Sequence, residues 1–115
     1  MESLKEIEEL GTTAVLPKTM KKRSYILEQM RSIKPSLQRE FPLQRLALFG
    51  SWARDEQSKA SDVDILVEVD PSIGLRSVEL AERLEGLLGE HVDLVSRRAR
   101  KPSLWKQIEP ELIDV

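Results

Sequence analysis

The chain has 115 residues, with 18 Lys plus Arg against 20 Asp plus Glu and no cysteine. That length suits one domain with one core. The formal charge of -2 offers no general cationic field for a long nucleic acid, and the missing thiols with a single histidine exclude disulfides, thiolate zinc sites and the usual imidazole zinc sites.

The charged start, Met1-Glu2-Ser3-Leu4-Lys5-Glu6, is unlike an apolar signal segment, and no run approaches the roughly 18 apolar residues of a membrane span. A soluble cytoplasmic protein without membrane association is the expectation. Residues 1–19 read as an arm set apart from a domain of residues 20–115. Leu4, Ile7 and Leu10 form a short amphipathic stretch that Gly11-Thr12-Thr13 and Pro17 end, and isolated helices that short are marginal in water. The arm is read as a flexible or partner-binding extension, with Met20 as an alternative start.

From Ser24 onward, Ile26, Met30, Ile33 and Leu37 give an apolar helical stripe. Pro35 interrupts it, predicting two helical pieces in place of one rod, and Phe41-Pro42 ends the segment. Leu46-Ala47-Leu48-Phe49 reads as a strand stopped by a tight turn at Gly50. Ser51 then caps a short helix to about Gln57, with Trp52 half packed on the sheet and Asp55 and Glu56 near the helix start, where the dipole favours negative charge.

Asp62-Val63-Asp64-Ile65-Leu66-Val67-Glu68-Val69 reads as a strand whose period of two places Asp62 and Asp64 on one face and Val63, Ile65, Val67 and Val69 on the other. After the turn Asp70-Pro71-Ser72, a helix marked by Leu75, Val78, Ala81, Leu84 and Leu88 runs to Gly89. His91-Val92-Asp93-Leu94-Val95 returns as a strand with Asp93 opposite Val92 and Leu94, and His91 exposed or capping at its start. The run Arg97-Arg98-Ala99-Arg100-Lys101 reads as a solvated basic edge; Pro102-Ser103 opens a helix carrying Leu104, Trp105 and Ile108, and residues 112–115 close the chain as an extended segment. The expected fold is α/β (α+β), a small mixed sheet with helices packed mainly on its apolar face.

The acids and the glycine carry the chemistry. Asp62 and Asp64 share a strand face, and Asp93 joins them if its strand is adjacent and in register. Three such carboxylates repel one another unless a cation offsets their charge, and an all-oxygen set suits Mg2+, or Mn2+, better than zinc. That is the arrangement of two-metal phosphoryl transfer, in which Asp62 and Asp64 anchor the metals while Asp93 holds the catalytic one and helps draw the acceptor proton. Gly50 lets the backbone approach a phosphate, Ser51 presents a hydroxyl and helix N–H groups, and Arg54 reaches the same phosphates.

The segments Leu46-Ala47-Leu48-Phe49-Gly50-Ser51-Trp52-Ala53-Arg54, Ser61-Asp62-Val63-Asp64-Ile65-Leu66-Val67 and Val92-Asp93-Leu94-Val95 resemble the minimal nucleotidyltransferase (MNT) family of the DNA polymerase beta-like superfamily. The likeness spans Arg23 to Val115. It implies that Gly50 and Ser51 bind the phosphates of ATP, that Asp62 and Asp64 coordinate magnesium, and that Asp93 is the third catalytic acid. It further implies an antitoxin that transfers AMP from ATP to a tyrosine hydroxyl of a HEPN-domain ribonuclease toxin. The alternatives are an antitoxin that acts by binding alone, and nucleotidyl transfer to a small molecule or RNA. Asp55 stands where relatives often have glycine, which alters the expected turn. Unpaired sheet edges make a homo-oligomer plausible.

Overall fold

The computed structural model describes residues 21–99 and 101–115; the expected arm over residues 1–19 lies outside them. In chain order the elements are α1 (Arg23–Glu40), β1 (Leu43–Phe49), the single turn α2 (Gly50–Ala53), β2 (Val63–Val69), α3 (Arg76–Leu88), β3 (Val92–Ser96), α4 (Pro102–Ile108) and β4 (Ile113–Asp114). The four strands form one mixed sheet in the order β3-β2-β1-β4. β1 is antiparallel to both β2 and β4, whereas β2 and β3 are parallel, as strands joined by a crossover helix must be.

Strand alternation divides the apolar residues between the two faces. On the back face Leu46, Leu48, Val63, Ile65, Val67 and Val92 pack against Ile26, Met30 and Leu37 of α1 and Leu80, Leu84 and Leu88 of α3. On the front face Ala47, Phe49, Leu66 and Val95 form a smaller cluster under Trp105 of α4, with Ile108 and Leu112 beside it. Helices thus lie mainly on one face, and the terminal helix covers part of the other.

On the back face, three local expectations differ from what the fold adopts. α1 is one helix that runs through Pro35. The hydrogen bond that Pro35 cannot donate belongs to an exposed turn, while Met30 and Leu37 on either side are fully buried and hold the axis. In α3 the buried stripe is Leu80-Leu84-Leu88, one residue per turn, which leaves Val78 on the opposite side and Leu75 outside the helix; both are exposed. Trp52 is completely buried, not half packed, because α2 points it into the back-face core.

Lys21, immediately before α1, is one of the anchors of the domain. Its ammonium donates to the carbonyls of Leu88 (3.0 Å) and Gly89 (3.2 Å) at the C-terminus of α3 and pairs with Glu90 at 2.9 Å. A cation there satisfies the unpaired last carbonyls and complements the helix dipole. The chain end is pinned comparably: Arg45 on β1 donates to Asp114 at 2.7 and 3.1 Å and to Glu68 at 3.0 Å, and the Val115 N–H donates to the Leu46 carbonyl at 3.1 Å. Arg45 holds the Asp114 carboxyl below the ordinary carboxylate range. Among the described residues, no helix is long and apolar enough to cross a membrane.

Candidate nucleotide and metal site

The site lies where β1 ends and β2 and β3 begin. β1 and β2 pair Phe49 with Asp64, and β2 and β3 pair Asp64 with Asp93. Paired residues on neighbouring strands project to the same side, so the antiparallel and parallel registers together bring the Gly50 turn, Asp64 and Asp93 into one row. Asp62 lies one residue before β2, exposed, with the exposed ring of His91 at 3.5 Å through Nδ1 and Glu85 at 3.8 Å from Nε2. The His91 carbonyl accepts the Val63 N–H at 2.8 Å, which ties the starts of the two strands together, and the Glu85 carboxylate of α3 accepts the Val92 N–H at 3.0 Å, which ties that helix to the start of β3.

Asp64 is the half-buried member of the acidic group. Its carboxyl is pushed up to about 6, first by burial, then by the charges of Asp93 and Asp62, by a hydrogen bond shared with Asp93, and by the charge of Glu111. Each cause disfavours the carboxylate form. A divalent cation would offset the repulsion among these charges, and carboxylate oxygens are the donors that magnesium and manganese take. Donor type and charge therefore fit such an ion. The side chains do not form a finished cage: among the described residues no three His, Cys, Asp or Glu groups are placed to hold a metal by themselves.

Gly50 is required by two separate constraints. Its φ is +76°, in the left-handed region, and a Cβ built on it would stand 2.1 Å from Oδ2 of Asp64. No other residue fits without displacing that carboxylate. α2 then runs for one turn only, from Gly50 to Ala53, with Phe49 at the N-cap position. The expected helix to Gln57 stops because Asp55 takes φ +61°, a left-handed residue that cannot continue it. Asp55 and Glu56 thus lie beyond the helix and not at its start. The departure from glycine at position 55 falls on a backbone conformation that glycine suits best.

Gly50 and Arg54 converge on one anion, the carboxylate of Glu111. The Gly50 N–H donates to Oε1 at 3.0 Å and Nη1 of Arg54 to Oε2 at 3.0 Å, while Nε of Arg54 donates to Glu56 at 2.8 Å. These partners raise the Arg54 titration further, Glu56 first and Glu111 next. Glu111 carries no local motif and is absent from the sequence-level expectation; it arrives through the pairing of β4 with β1, Ala47 opposite Asp114 and Leu48 opposite Ile113. The basic run lies at the opposite end of β3. Arg97 pairs with Glu109 at 2.9 Å, Arg98 is exposed, and Arg100 lies outside the described residues.

Comparison with known proteins agrees with this geometry. Residues 30–115 match the family model of the nucleotidyltransferase domain. A provisionally named protein adenylyltransferase of Methanocaldococcus jannaschii is 43% identical over 101 residues, covering 84% of this chain and 100% of that protein. Among solved structures, a provisionally named minimal nucleotidyltransferase superposes with a TM-score of 0.71 at 32% identity, over 84% of this chain and 98% of the other. A chain of a toxin–antitoxin complex crystallised with AMP-PNP matches with a TM-score of 0.58 at 30% identity, over 80% of this chain and 70% of that one. A chain from the complex of a tri-AMPylated HEPN toxin of Shewanella oneidensis with its MNT antitoxin matches with a TM-score of 0.58 at 28% identity, over 77% and 70%. With a family match over most of its length and a relative aligned end to end, the chain belongs to the nucleotidyltransferase-domain family, as one of its minimal nucleotidyltransferases.

Proposed function

We propose that this chain is a magnesium-dependent protein adenylyltransferase and an antitoxin, transferring AMP from ATP to a hydroxyl, in the first instance a tyrosine, of a cognate HEPN toxin. The observation that carries the reading is the parallel register of Asp64 with Asp93 beside the Gly50 turn. Kinship supports it further: the M. jannaschii relative is a provisionally named protein adenylyltransferase, and one structural neighbour contains an AMPylated HEPN toxin with its MNT antitoxin.

In this reading Asp62, Asp64 and Asp93 hold Mg2+, with Mn2+ as the alternative ion. Bound there, such an ion would supply positive charge against the phosphate oxygens. The Gly50 N–H, the Ser51 hydroxyl and the Arg54 guanidinium bind the β- and γ-phosphates and stabilise the departing pyrophosphate. Asp93 is exposed, so an acceptor presented by a partner surface can approach it, and its carboxylate helps withdraw the acceptor proton. The acceptor oxygen attacks the α-phosphorus in line; the new P–O bond forms as the bond from that phosphorus to the bridging oxygen breaks, and pyrophosphate leaves. A chain of 115 residues has little surface with which to enclose an acceptor, so the partner supplies much of that binding surface.

The test is incubation with the cognate toxin, magnesium and ATP labelled at the α-phosphate, followed by mass analysis of the toxin. Label on a toxin hydroxyl, absent with Asp62→Asn or Asp64→Asn, is the expected result. Neutralisation that survives in both variants without label would establish an antitoxin acting by binding alone.

A further inference from the structure

Glu111 belongs to no part of the site that motif spacing reveals, yet its carboxylate takes both a backbone and a side-chain donor assigned to the triphosphate. One oxygen accepts the Gly50 N–H at 3.0 Å and the other accepts Nη1 of Arg54 at 3.0 Å. Two oxygens of one anion divided between an amide and a guanidinium is the pattern those donors would make with a terminal phosphate. Resting on the reading of the Gly50 turn as a triphosphate site, we propose that Glu111 is a tethered competitor, bound in the place of the nucleotide's terminal phosphates and released when they arrive.

The surroundings allow the exchange. Glu111 ends the 3-10 turn Glu109–Glu111, and β4 behind it is held independently by Arg45 to Asp114 and by the Val115 N–H to Leu46. Its side chain, 24% exposed, therefore has water to swing into without unpairing the strand. Arg54 keeps its second partner, Glu56, at 2.8 Å, so the guanidinium remains oriented after Glu111 leaves. Glu111 and a triphosphate cannot share the donors, and both are negative beside Asp64, so each excludes the other.

The consequence is selectivity among nucleotides. A ligand with β- and γ-phosphates must displace Glu111, whereas AMP has no group at that position and does not meet it. Isothermal titration of the full chain in magnesium, with ATP and AMP as probes, compares wild type, Glu111→Gln, Glu111→Ala and Arg54→Ala. Both Glu111 variants are expected to bind ATP about ten-fold more tightly, since the fraction of turns free to accept phosphate rises, and to bind AMP as wild type does. Glu111→Gln preserves shape and decides the matter if the alanine variant folds poorly. ATP affinity that is unchanged or weaker in Glu111→Gln, while Arg54→Ala still weakens ATP, would overturn the competitor and leave the phosphate site standing. ATP affinity indifferent to Arg54 and Glu111 alike would overturn both.

Discussion

The two faces of the sheet are built from the same alternating strands but are finished in opposite ways. On the back, Val63, Ile65 and Val67 of β2 lie in one core with α1 and α3 and are sealed from water. On the front, Leu66 and Val95 are sealed by Trp105, but one step toward the strand starts the cover ends and the same face carries Asp64 and Asp93. The back gains stability from every contact; the front gives some up by pushing carboxylates together where a substrate can reach them. In the proposed reading, function occupies the part of a packing face that the last helix leaves uncovered.

The largest expected effect separates the two faces by what each loses. Asp64→Asn removes the charge that a metal needs while keeping the side-chain shape, and AMP transfer to the partner should fall by about a thousandfold or more, a barrier increase of roughly 4 kcal/mol. Its melting temperature in magnesium-free buffer should equal or exceed that of wild type, because the substitution relieves repulsion from Asp93 and Asp62. A large fall in stability would show that the front-face acids support the fold, contrary to the division drawn above.

A back-face change should do the reverse. Leu84 is fully buried between α3 and the sheet, and Leu84→Ala is expected to cost about 2–5 kcal/mol in denaturant titration. The folded fraction should keep its specific activity and its affinity for ATP. A selective loss of kcat at full folding would mean that the back core sets the spacing of the acids.

These contrasts also show what local sequence can carry. Alternation predicts Asp62 and Asp64 on one face because it needs only neighbouring residues, but Asp62 falls one residue before β2 and lies beside His91 at 3.5 Å; a glycine after an apolar strand announces a turn from its neighbours alone. Glu111 is invisible at that level: it meets Gly50 only because a two-residue strand pairs with β1 at the far end of the chain. The exposure of Val78 is likewise decided by which helix face the sheet accepts, since Leu80-Leu84-Leu88 and a stripe through Val78 are both available to the periodicity. Pro35 marks a break by its chemistry, yet the packing of Met30 and Leu37 overrides it.

A smaller effect concerns pH. The Asp64 carboxyl is raised from its ordinary 3.8 to about 6, so between those values the native state binds more protons than the unfolded chain. Stability should therefore increase as pH falls from about 6 toward 4, by on the order of 1 kcal/mol once the partial exposure of the group is allowed for. Asp114 acts in the opposite sense, since Arg45 lowers its titration, and its contribution is lost only below the ordinary carboxylate range. The difference between wild type and Asp64→Asn in magnesium-free denaturation isolates the Asp64 contribution. Saturating magnesium should flatten that difference, and persistence of the slope with the metal bound would argue against Asp64 as a ligand.

The smallest expected effect distinguishes two left-handed residues, one that opens α2 and one just past its end. Gly50 is compelled, because its backbone angle and the Oδ2 of Asp64 at 2.1 Å both forbid a Cβ. Asp55, at φ +61° and exposed, is only tolerated. Aspartate accepts that conformation better than most residues but less well than glycine, so Asp55→Gly should raise the denaturation midpoint by the equivalent of about 0.5–1 kcal/mol, with transfer activity unchanged. If activity instead fell, the Asp55 side chain would have to fix the direction in which Arg54 leaves the helix, and position 55 would count with Gly50 as part of the phosphate turn.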